Sequence, residues 1–395
     1  MKKFEHDVRI TGIGMSDVGR RLMRDPMELT IDACLAAMDD AGLTREDIDG
    51  LSTYPGPMFP AGMSSGGVVD VEDILRVRPK WFNGGSEVSG QTGSVATAAL
   101  AVSAGLCNHV LCFRCVWEGT HQALVRSGTL KPARGSGGVG GDAQWRLPFG
   151  ASSAANWIAM LASRYFHEYG ATREQLGQIA LNGRKNAALN EKAIYRDPLD
   201  MDAYLSARMI TTPFGLYDCD VPCDGAVAII ISHADAARDT RRANPLRLEA
   251  VGCQISERPS WDQADLTHEP LLEGAARSLW ERTDLQPSDV DVAQIYDGFS
   301  FNCLCWIERL GFCGEGEGAQ FIEGGKRIAR DGELPLNTHG GQLSAGRLHG
   351  YGFLHEACVQ LWGEGGARQV AGDPEVAIVA TGGGAPGGTL LLTRG

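Results

Sequence analysis

The sequence is short of basic residues, of long apolar runs and of paired cysteines. Lysine and arginine number 36 against 49 aspartates and glutamates, which gives the 395-residue chain a formal net charge of −13. Because a negative surface repels a phosphate backbone, this balance argues against nucleic-acid binding. The longest apolar-rich stretches, near 96–107 and 226–232, are too short to cross a bilayer, and no apolar core follows the first lysines. We therefore expect a cytoplasmic protein without a membrane span.

The eleven cysteines form no recognisable disulfide or metal framework. An odd number of cysteines in a chain of this size is a poor basis for disulfide pairing. Three pairs have a short spacing: Cys112 and Cys115, Cys219 and Cys223, Cys303 and Cys305. A structural zinc ion needs four ligands from two such pairs, and we find no matching second pair for any of them. We expect no metal, and we interpret these thiols as reduced, buried side chains that pack as small apolar groups.

Glycine, by contrast, is abundant. The 52 glycines make up about 13% of the chain, against roughly 7% in an average protein, and they show no triplet period. Many of them lie in four clusters, at 84–93, 135–141, 340–352 and 382–388. Glycine allows a positive φ and a close approach of the backbone to a ligand, so these clusters predict functional loops rather than a fibre or a linker.

Strand and helix patterns alternate along the chain and repeat once. Apolar runs typical of buried strands lie at 8–14, 110–113, 226–232, 246–253, 376–381 and 389–393. Helical patterns lie at 27–42, 92–104, 154–170, 172–190, 271–282 and 302–310. In each half a glycine-rich loop enters a central helix and a strand follows, which favours a duplicated α/β fold with mixed sheets, a five-layer α-β-α-β-α sandwich.

The repeat predicts two domains with an insertion in the first. The amino-terminal half covers 1–240, with an inserted loop region at about 116–215, and the carboxy-terminal half covers 241–395. Within the insertion, the polar and glycine-rich stretch 118–150 is predicted to run over the surface. The loop 55–67, rich in proline, methionine and glycine, is a candidate to shape a pocket.

Four segments together resemble the thiolase superfamily, in particular the sterol-carrier-protein-type thiolases. They are CDGAVAIIIS, YDGFSFN, NTHGGQLSAGRLHG and ATGGGAPGG, which occur in the family's order and at its spacing across nearly the whole chain. Each segment alone is a weak signal, but the set is fairly specific. The resemblance implies the same five-layer fold that the pattern predicts.

The reactive side chains of that family are absent. On the family's pattern, Gly90 stands where the nucleophilic cysteine is needed, Arg347 replaces a histidine, and Ala380 replaces a second cysteine. Glycine cannot form an acyl-enzyme, and a guanidinium stays protonated at neutral pH. Ser86 and Ser89 flank the Gly90 position, either as helix caps or as a substitute nucleophile. We expect the covalent reaction to be lost.

Tyr296 links the sequence to one branch of the superfamily. It replaces the histidine of the family's H-D-x-F turn, as in the lipid-transfer-protein-type aldolases that cleave steroid side chains. The resemblance implies that Tyr296 is an acid or base, and nearby cations such as Arg347 are expected to lower its pKa. A second tyrosine of that branch has no strict counterpart here. Its role is open between three residues. Arg347 alternatively binds a phosphate or carboxylate or forms a structural ion pair, His349 is either a base or a packed imidazole, and Tyr351 alternatively packs in the helix it opens.

Four further residues complete the predicted site. Asp297 either orients a partner or stabilises its turn. His339 is an oxyanion donor or braces its loop. Gly90 and Gly383 are expected to offer backbone N–H groups to a thioester oxygen. The resemblance implies no cofactor beyond the substrate's own coenzyme A.

The leading hypothesis is a retro-aldolase that cleaves the Cα–Cβ bond of a bulky β-hydroxyacyl-CoA, such as one with a sterol or bile-acid side chain. The alternatives are a condensing enzyme or thiolase with a non-cysteine nucleophile, and a non-catalytic scaffold that binds acyl-CoA or lipid. The resemblance also implies a homodimer and a small partner protein with an OB fold and a zinc ribbon.

Overall fold

The structure, a computed structural model, describes residues 3–56, 62–64, 66–131, 143–254, 272–383 and 386–395. The strands in these ranges are β1 (Val8–Met15), β2 (Gly50–Thr53), β3 (Trp81–Asn83), β4 (His109–Trp117), β5 (Met209–Thr211), β6 (Phe214–Gly215), β7 (Asp224–His233), β8 (Leu246–Gln254), β9 (Val292–Ile295), β10 (Val376–Thr381) and β11 (Gly387–Thr393). The central strands β4, β7 and β10 are buried over nearly their whole length, as their continuous apolar runs predict.

The helices begin and end where the sequence places caps and breakers. They are α1 (Pro26–Ala41), α2 (Val68–Leu75), α3 (Gly93–Ser103), α4 (Glu118–Arg126), α5 (Ala143–Arg146), α6 (Ala154–Tyr169), α7 (Arg173–Ala187), α8 (Met201–Ser206), α9 (Glu273–Trp280), α10 (Ser300–Arg309), α11 (Gly318–Ile322), α12 (Gly341–Ser344) and α13 (Tyr351–Leu361). In α1, for example, the Asp25 carboxylate accepts from the Met27 N–H at 2.7 Å, and Gly42 ends the helix at φ +69°.

The sheet topology contains the predicted duplication. Among the described residues, one mixed sheet runs in the order β3-β2-β4-β7-β1-β8-β11-β10-β9. The strands β2-β4-β7-β1 and β9-β10-β11-β8 repeat one arrangement, a parallel pair followed by two antiparallel pairs. A single parallel bridge from Ala293 to Leu336 stands beside β9 as β3 stands beside β2. Among the described residues, the two half-sheets are joined by the pairing of Arg9 and Ile10 of β1 with β8.

The helices fill the layers on either side of these half-sheets. α1 packs on β1, β4 and β7, and α9 packs on β8 and β11. α3 packs on β2, β4 and β7, whereas α13 contacts β9 and β10 of one half-sheet and β1 and β7 of the other. Alternate residues of β7 face different cores, as the period of two in a strand requires. α3 and α13 therefore form the central layer, and the predicted five-layer sandwich is confirmed.

Two glycines of β1 let α1 approach closely. A Cβ atom at Gly12 would lie 2.5 Å from the Ala37 carbonyl oxygen, and one at Gly14 would lie 2.2 Å from that of Ala33. Any side chain at either position would push the outer helix away from the strand.

The predictions for the insertion were partly wrong. The stretch 118–150 begins with helix α4, in which Glu118, Gly119 and Thr120 are buried, while 132–142 lies outside the described residues. The two helices predicted within 116–215 are present as α6 and α7, and α4, α5 and α8 add further helices to this region. Several short elements were not predicted, among them α2, α4, α8 and the strands β3, β5 and β6. Part of the candidate pocket loop, 57–61 and 65, also lies outside the described residues.

The three short-spaced cysteine pairs match the prediction of buried thiols only in part. None of the eleven cysteines, all of which lie in the described ranges, takes part in a disulfide, and of the three short-spaced pairs Cys219 and Cys305 are half-buried rather than buried. Within the described ranges, no group of three or more His, Cys, Asp or Glu side chains is arranged to hold a metal ion. None of the helices in those ranges has both the length and the apolar composition needed to span a bilayer.

Candidate active site

Gly90 closes the position that a nucleophile would need. It has φ +60°, and a Cβ atom built on it would lie 2.5 Å from Thr381 Oγ1, 2.6 Å from the Thr381 carbonyl oxygen and 2.9 Å from the Gly388 nitrogen. Two of these three atoms belong to the backbone of the β10–β11 hairpin, so a rotamer change cannot make room. The site therefore has no space for a side chain at residue 90.

Thr381 occupies the space beside Gly90. Its hydroxyl lies 3.0 Å from that of Thr92, the residue that precedes α3, and it is fully buried. The interpretation of Ser86 and Ser89 as caps of α3 was wrong, because the cap position belongs to Thr92 and Ser86 is exposed. The amino-terminal end of the central helix is thus held against the carboxy-terminal hairpin by two threonines.

Tyr296 lies at the end of β9, in the interior. Its N–H donates to the Ala380 carbonyl at 2.9 Å, and only 5% of its surface is exposed. Burial raises the pKa of Tyr296 above its ordinary value, and the charge of Asp220 adds to the rise. Arg347 acts in the expected direction and lowers this pKa, but it does not outweigh burial. The phenol therefore keeps its proton at neutral pH.

Arg347 is held by two carboxylates that the sequence reasoning missed. Its Nε donates to Glu118 Oε2 at 2.8 Å, its Nη2 lies 2.6 Å from the same oxygen as an ion pair, and its Nη1 donates to Asp220 Oδ1 at 3.0 Å. The side chains of Glu118 and Asp220 are 11% and 7% exposed. The ion-pair interpretation of Arg347 matches this geometry. The two acids stand 102 residues apart in the sequence, so no local motif joins them.

Replacing Arg347 by methionine is expected to destabilise the fold strongly. Two nearly buried carboxylates would lose the guanidinium that pairs with both of them, and breaking a buried pair typically costs about 3–5 kcal/mol. Urea unfolding above neutral pH measures this loss. In mild acid, below the pKa of about 7 of Asp220, that carboxyl is protonated and the difference from the wild type should shrink. A variant as stable as the wild type at both pH values would contradict the pairing.

The segment that carries Asp220 is fixed against the turn after Tyr296. The Asp220 N–H donates to the Gly298 carbonyl at 3.0 Å. Two residues earlier, Asp218 accepts hydrogen bonds from Tyr204 and Ser300, both at 2.6 Å. Burial raises the pKa of the Asp220 carboxyl to about 7, with Glu118 adding to the rise and Arg347 opposing it. Asp220 therefore exchanges a proton near neutral pH, beside Tyr296.

Asp297 has its carboxylate on the backbone of α12. Its Oδ1 accepts from the Gln342 N–H at 2.7 Å, and a Cβ at Gly341 would lie 1.9 Å from its Oδ2. Burial raises the pKa of Asp297 to about 7, although the backbone N–H groups of Gln342 and Leu343 act to lower it. This contact favours the structural interpretation, in which Asp297 joins the Tyr296 turn to the glycine-rich loop.

His349 is neutral and faces a buried arginine. Arg114 Nη2 lies 2.8 Å from His349 Nδ1, and because arginine can only donate, Nδ1 is the acceptor and the ring proton is on Nε2. Burial, together with the charges of Arg114 and Arg347, lowers the pKa of His349 well below its ordinary value. His349 also has φ +46°, an uncommon conformation for a side chain of its size. It can donate a proton in a hydrogen bond but is a poor base.

Tyr351 and His339 have their polar atoms on partners other than Tyr296. The Tyr351 hydroxyl is bonded to Ser94 Oγ at 2.7 Å in the fully buried contact between α13 and α3. The Phe353 ring lies near the other two rings, with centroid distances of 6.5 Å to Tyr296 and 5.3 Å to His339. Within the described residues, the hydrogen bonds of Tyr351 and His339 go to Ser94 and Gln294 and not to the Tyr296 hydroxyl.

His339 has its ring N–H directed into the protein. Its Nδ1 donates to Gln294 Oε1 at 3.2 Å, and burial lowers the pKa of the ring to about 3. A neutral histidine with its proton on Nδ1 has no second N–H for an oxyanion, which favours the loop-bracing interpretation. It lines a cavity of about 530 Å³ beside Lys192 and Arg368, and this cavity does not include Tyr296 or Arg347.

The carboxy-terminal glycine loop is held by its carbonyls. Trp306 Nε1 donates to the Gly382 carbonyl at 2.9 Å, and Asn302 Nδ2 donates to that of Gly383 at 2.8 Å. The C=O and N–H of a trans peptide point in opposite directions, so the Gly383 N–H points away from α10. This orientation suits the predicted role of Gly383 as a backbone donor.

Fold and site together define a thiolase-like protein that has no room for a nucleophilic side chain at residue 90. The sequence profile of the family described as "Thiolase C-terminal domain-like" matches residues 252–390. The chain is 34% identical to the "Steroid side-chain-cleaving aldolase" of Thermomonospora curvata, with 97% of each chain covered. It is also 34% identical to the "17-hydroxy-3-oxo-4-pregnene-20-carboxyl-CoA lyase" of Mycobacterium tuberculosis, over 97% of this chain and 98% of that one.

A solved structure agrees with both relatives. The structure described as "Ltp2-ChsH2(DUF35) aldolase" superposes with a TM-score of 0.87 at 32% identity, and 98% of each chain is covered. The chain therefore belongs to the thiolase-like family of steroid side-chain-cleaving aldolases, a family of carbon–carbon lyases, and the resemblance found in its sequence is confirmed.

Proposed function

We propose that this chain cleaves the Cα–Cβ bond of a bulky β-hydroxyacyl-CoA by a non-covalent retro-aldol reaction. The observation that carries this proposal is the closed position at Gly90, where a nucleophilic side chain has no room. Acid–base groups nevertheless remain beside it, in Tyr296 and in the Asp220–Arg347 pair. A retro-aldol reaction needs such groups and no acyl-enzyme.

The two groups divide the proton transfers between them. Asp220, with a pKa near neutrality, accepts the proton of the β-hydroxyl group, and the C–O bond becomes a carbonyl as the Cα–Cβ bond breaks. The electron pair of that bond passes to the thioester as an enolate. Tyr296, a protonated phenol, then protonates Cα, and Asp220 returns its proton to Tyr296. The products are a ketone or aldehyde and a shorter acyl-CoA, with no net change in protons.

Backbone donors stabilise the enolate in this scheme. The Gly383 N–H is directed away from the helix that holds its loop, and the Gly90 backbone lies beside the same hairpin. Donors fixed before the reaction lower the barrier without further reorganisation. The proposed steps use only side chains and backbone N–H groups of this chain. The coenzyme A belongs to the substrate and is not a cofactor of the protein.

A steroid-sized acyl group is the substrate class we favour. The names of the two relatives refer to a steroid side chain and to a 17-hydroxy pregnene carboxyl-CoA. The first name describes an aldolase that cleaves a side chain, and the second describes a lyase for a hydroxylated steroid CoA ester. We transfer the class to this chain on the strength of the overall similarity.

The direct test is incubation with a tertiary β-hydroxyacyl-CoA that carries a steroid ring. Mass spectrometry should detect a steroid ketone and a short acyl-CoA in equal amounts. Intact-mass measurement should show no acylated protein. An acyl adduct, or no cleavage by the chain together with any protein that co-purifies with it, would overturn the proposal.

The rate is expected to depend on the ionisation of Asp220. A base must be deprotonated to act, so kcat/KM should rise as the pH increases through about 7 and then level off. Asp220→Asn should lower kcat/KM by about 10²–10⁴ and remove this dependence. Asp297→Asn keeps an acceptor for the backbone N–H groups, and this variant should retain the pH dependence of kcat/KM. A pH profile that Asp220→Asn leaves unchanged would assign the base elsewhere.

We further propose a homodimer and a small second subunit with an OB fold and a zinc ribbon. Strand β3 is an edge of the sheet and Phe82 in it is 64% exposed, which supports association along this edge. The description of the similar solved structure pairs an aldolase with a DUF35 protein. Co-purification from the native host, with mass spectrometry of the bound proteins and light scattering of the chain alone, tests both associations.

A further inference from the structure

Gln342 carries a buried carboxamide that makes no hydrogen bond of ordinary geometry with any of the described residues. The residue is 2% exposed, and neither its Nε2 nor its Oε1 is bonded to any group in the part of the chain that the structure describes. Buried polar groups are nearly always paired, because an unpaired one costs free energy. A carboxamide with both ends unpaired therefore indicates a ligand that the free chain does not supply.

The backbone of Gln342 is fixed from two sides. Its N–H donates to Asp297 Oδ1 at 2.7 Å, and its carbonyl accepts from the Val221 N–H at 3.1 Å. One contact joins it to the turn of Tyr296, and the other joins it to the residue after Asp220. Gln342 thus lies between the two segments that carry the proposed acid and base.

The amide of Gln342 lies beside the Tyr296 hydroxyl. It is close enough to lower the pKa of Tyr296, although the two groups do not form a hydrogen bond of ordinary geometry. An amide does not titrate and cannot serve as the acid or the base. Its remaining use at this place is to hold an oxygen atom of the substrate.

We propose that Gln342 contacts the substrate, and that its Nε2–H donates to the oxygen on Cβ. This oxygen is a hydroxyl before cleavage and a carbonyl afterwards, and it accepts a hydrogen bond in both states. Gln342 thereby selects acyl-CoA molecules that carry an oxygen at Cβ. The inference rests on the proposed retro-aldol reaction for the identity of that oxygen, but the recognition itself does not require cleavage.

Gln360 provides a matched control, because it is a buried glutamine whose carboxamide is fully used. Its Nε2 donates to Glu356 and to the Arg368 carbonyl, and its Oε1 accepts from the Val370 N–H at 2.9 Å. Gln360→Leu should lower the thermal midpoint and leave substrate preference unchanged. Gln342→Leu removes an unpaired amide, so its thermal midpoint should equal or exceed that of the wild type.

The test compares two non-cleavable ligands by calorimetry. One is the thioether analogue of a steroid β-hydroxyacyl-CoA, which lacks the carbonyl needed for an enolate, and the other is its deoxy counterpart. The wild type should bind the hydroxy ligand about tenfold more tightly. Gln342→Leu should bind both equally, and its kcat/KM for the cleavable thioester should fall about 10²-fold. Gln342→Asn, which keeps a shorter amide, should recover part of both effects.

Two outcomes would overturn the inference. One is a wild type without preference for the hydroxy ligand, and the other is a Gln342→Leu variant that keeps the preference. A wild type that shows the preference, loses it on Gln342→Leu, and yet cleaves no thioester would instead overturn the retro-aldol reaction and leave the recognition standing.

Discussion

Tyr296→Phe is expected to lower kcat by about a thousandfold while the protein stays folded. The substitution removes only the hydroxyl that is proposed to protonate Cα, and the ring that packs against Phe353 remains. Because burial raises the pKa of Tyr296, this hydroxyl is a proton donor at neutral pH and water cannot easily replace it in a buried site. Steady-state kinetics with the steroid thioester, together with a thermal melt, measures the effect.

Tyr351→Phe provides the comparison. Its hydroxyl is bonded to Ser94 at 2.7 Å between the central helices, so its loss should cost about 1 kcal/mol of stability and change kcat only a few-fold. The family resemblance alone leaves Tyr351 open as the second acid or base. If Tyr351→Phe lost more activity than Tyr296→Phe, the roles derived from the structure would be reversed.

Gly90→Cys is expected to destabilise the protein without restoring an acyl-enzyme. The new Cβ would lie 2.6 Å from a carbonyl oxygen of Thr381 and 2.9 Å from the Gly388 nitrogen, and the residue would keep φ +60°. Overpacking and backbone strain together cost about 3 kcal/mol or more. Urea unfolding measures the loss, and intact-mass measurement after incubation with acetyl-CoA should find no adduct.

Gly105→Ala separates the two causes. Gly105 has φ +73°, but nothing lies within 4 Å of a Cβ built there. This variant should therefore be destabilised only by its unfavourable backbone conformation. Gly90→Ala should therefore cost clearly more than Gly105→Ala. Equal losses would show that the hairpin moves aside, and a stable, acylated Gly90→Cys protein would contradict the closed site.

Much of the fold was predictable from local patterns. The strand and helix periods at β1, α1, α3, β7 and α10 lie within a few residues of the observed elements, because each is long, apolar on a regular period and bounded by glycine or a cap. β3 and α2 were missed. β3 is three residues long, and α2 follows a loop whose proline and glycine content dominates the local signal.

The site residues were predictable only where the residue itself stands in a recognisable sequence motif. Gly90 and Tyr296 stand in motifs, so their substitutions can be seen against the family's pattern. Glu118, Asp220 and Gln342 were not predicted, because their importance lies in partners that are distant in the sequence. Glu118 reaches Arg347 across 229 residues, and no local pattern signals that contact.

The sequence by itself therefore determined the duplicated architecture, which follows from residue types at fixed local spacing, and the loss of the nucleophile, which the family resemblance implies at Gly90. Only the tertiary structure decided the protonation behaviour of Tyr296 and Asp220. Burial raises the pKa of Tyr296 even though a cation stands nearby, and it brings the pKa of Asp220 to about 7. Such shifts depend on how much water and how many charges surround a group, and those surroundings come from segments that meet only when the chain folds.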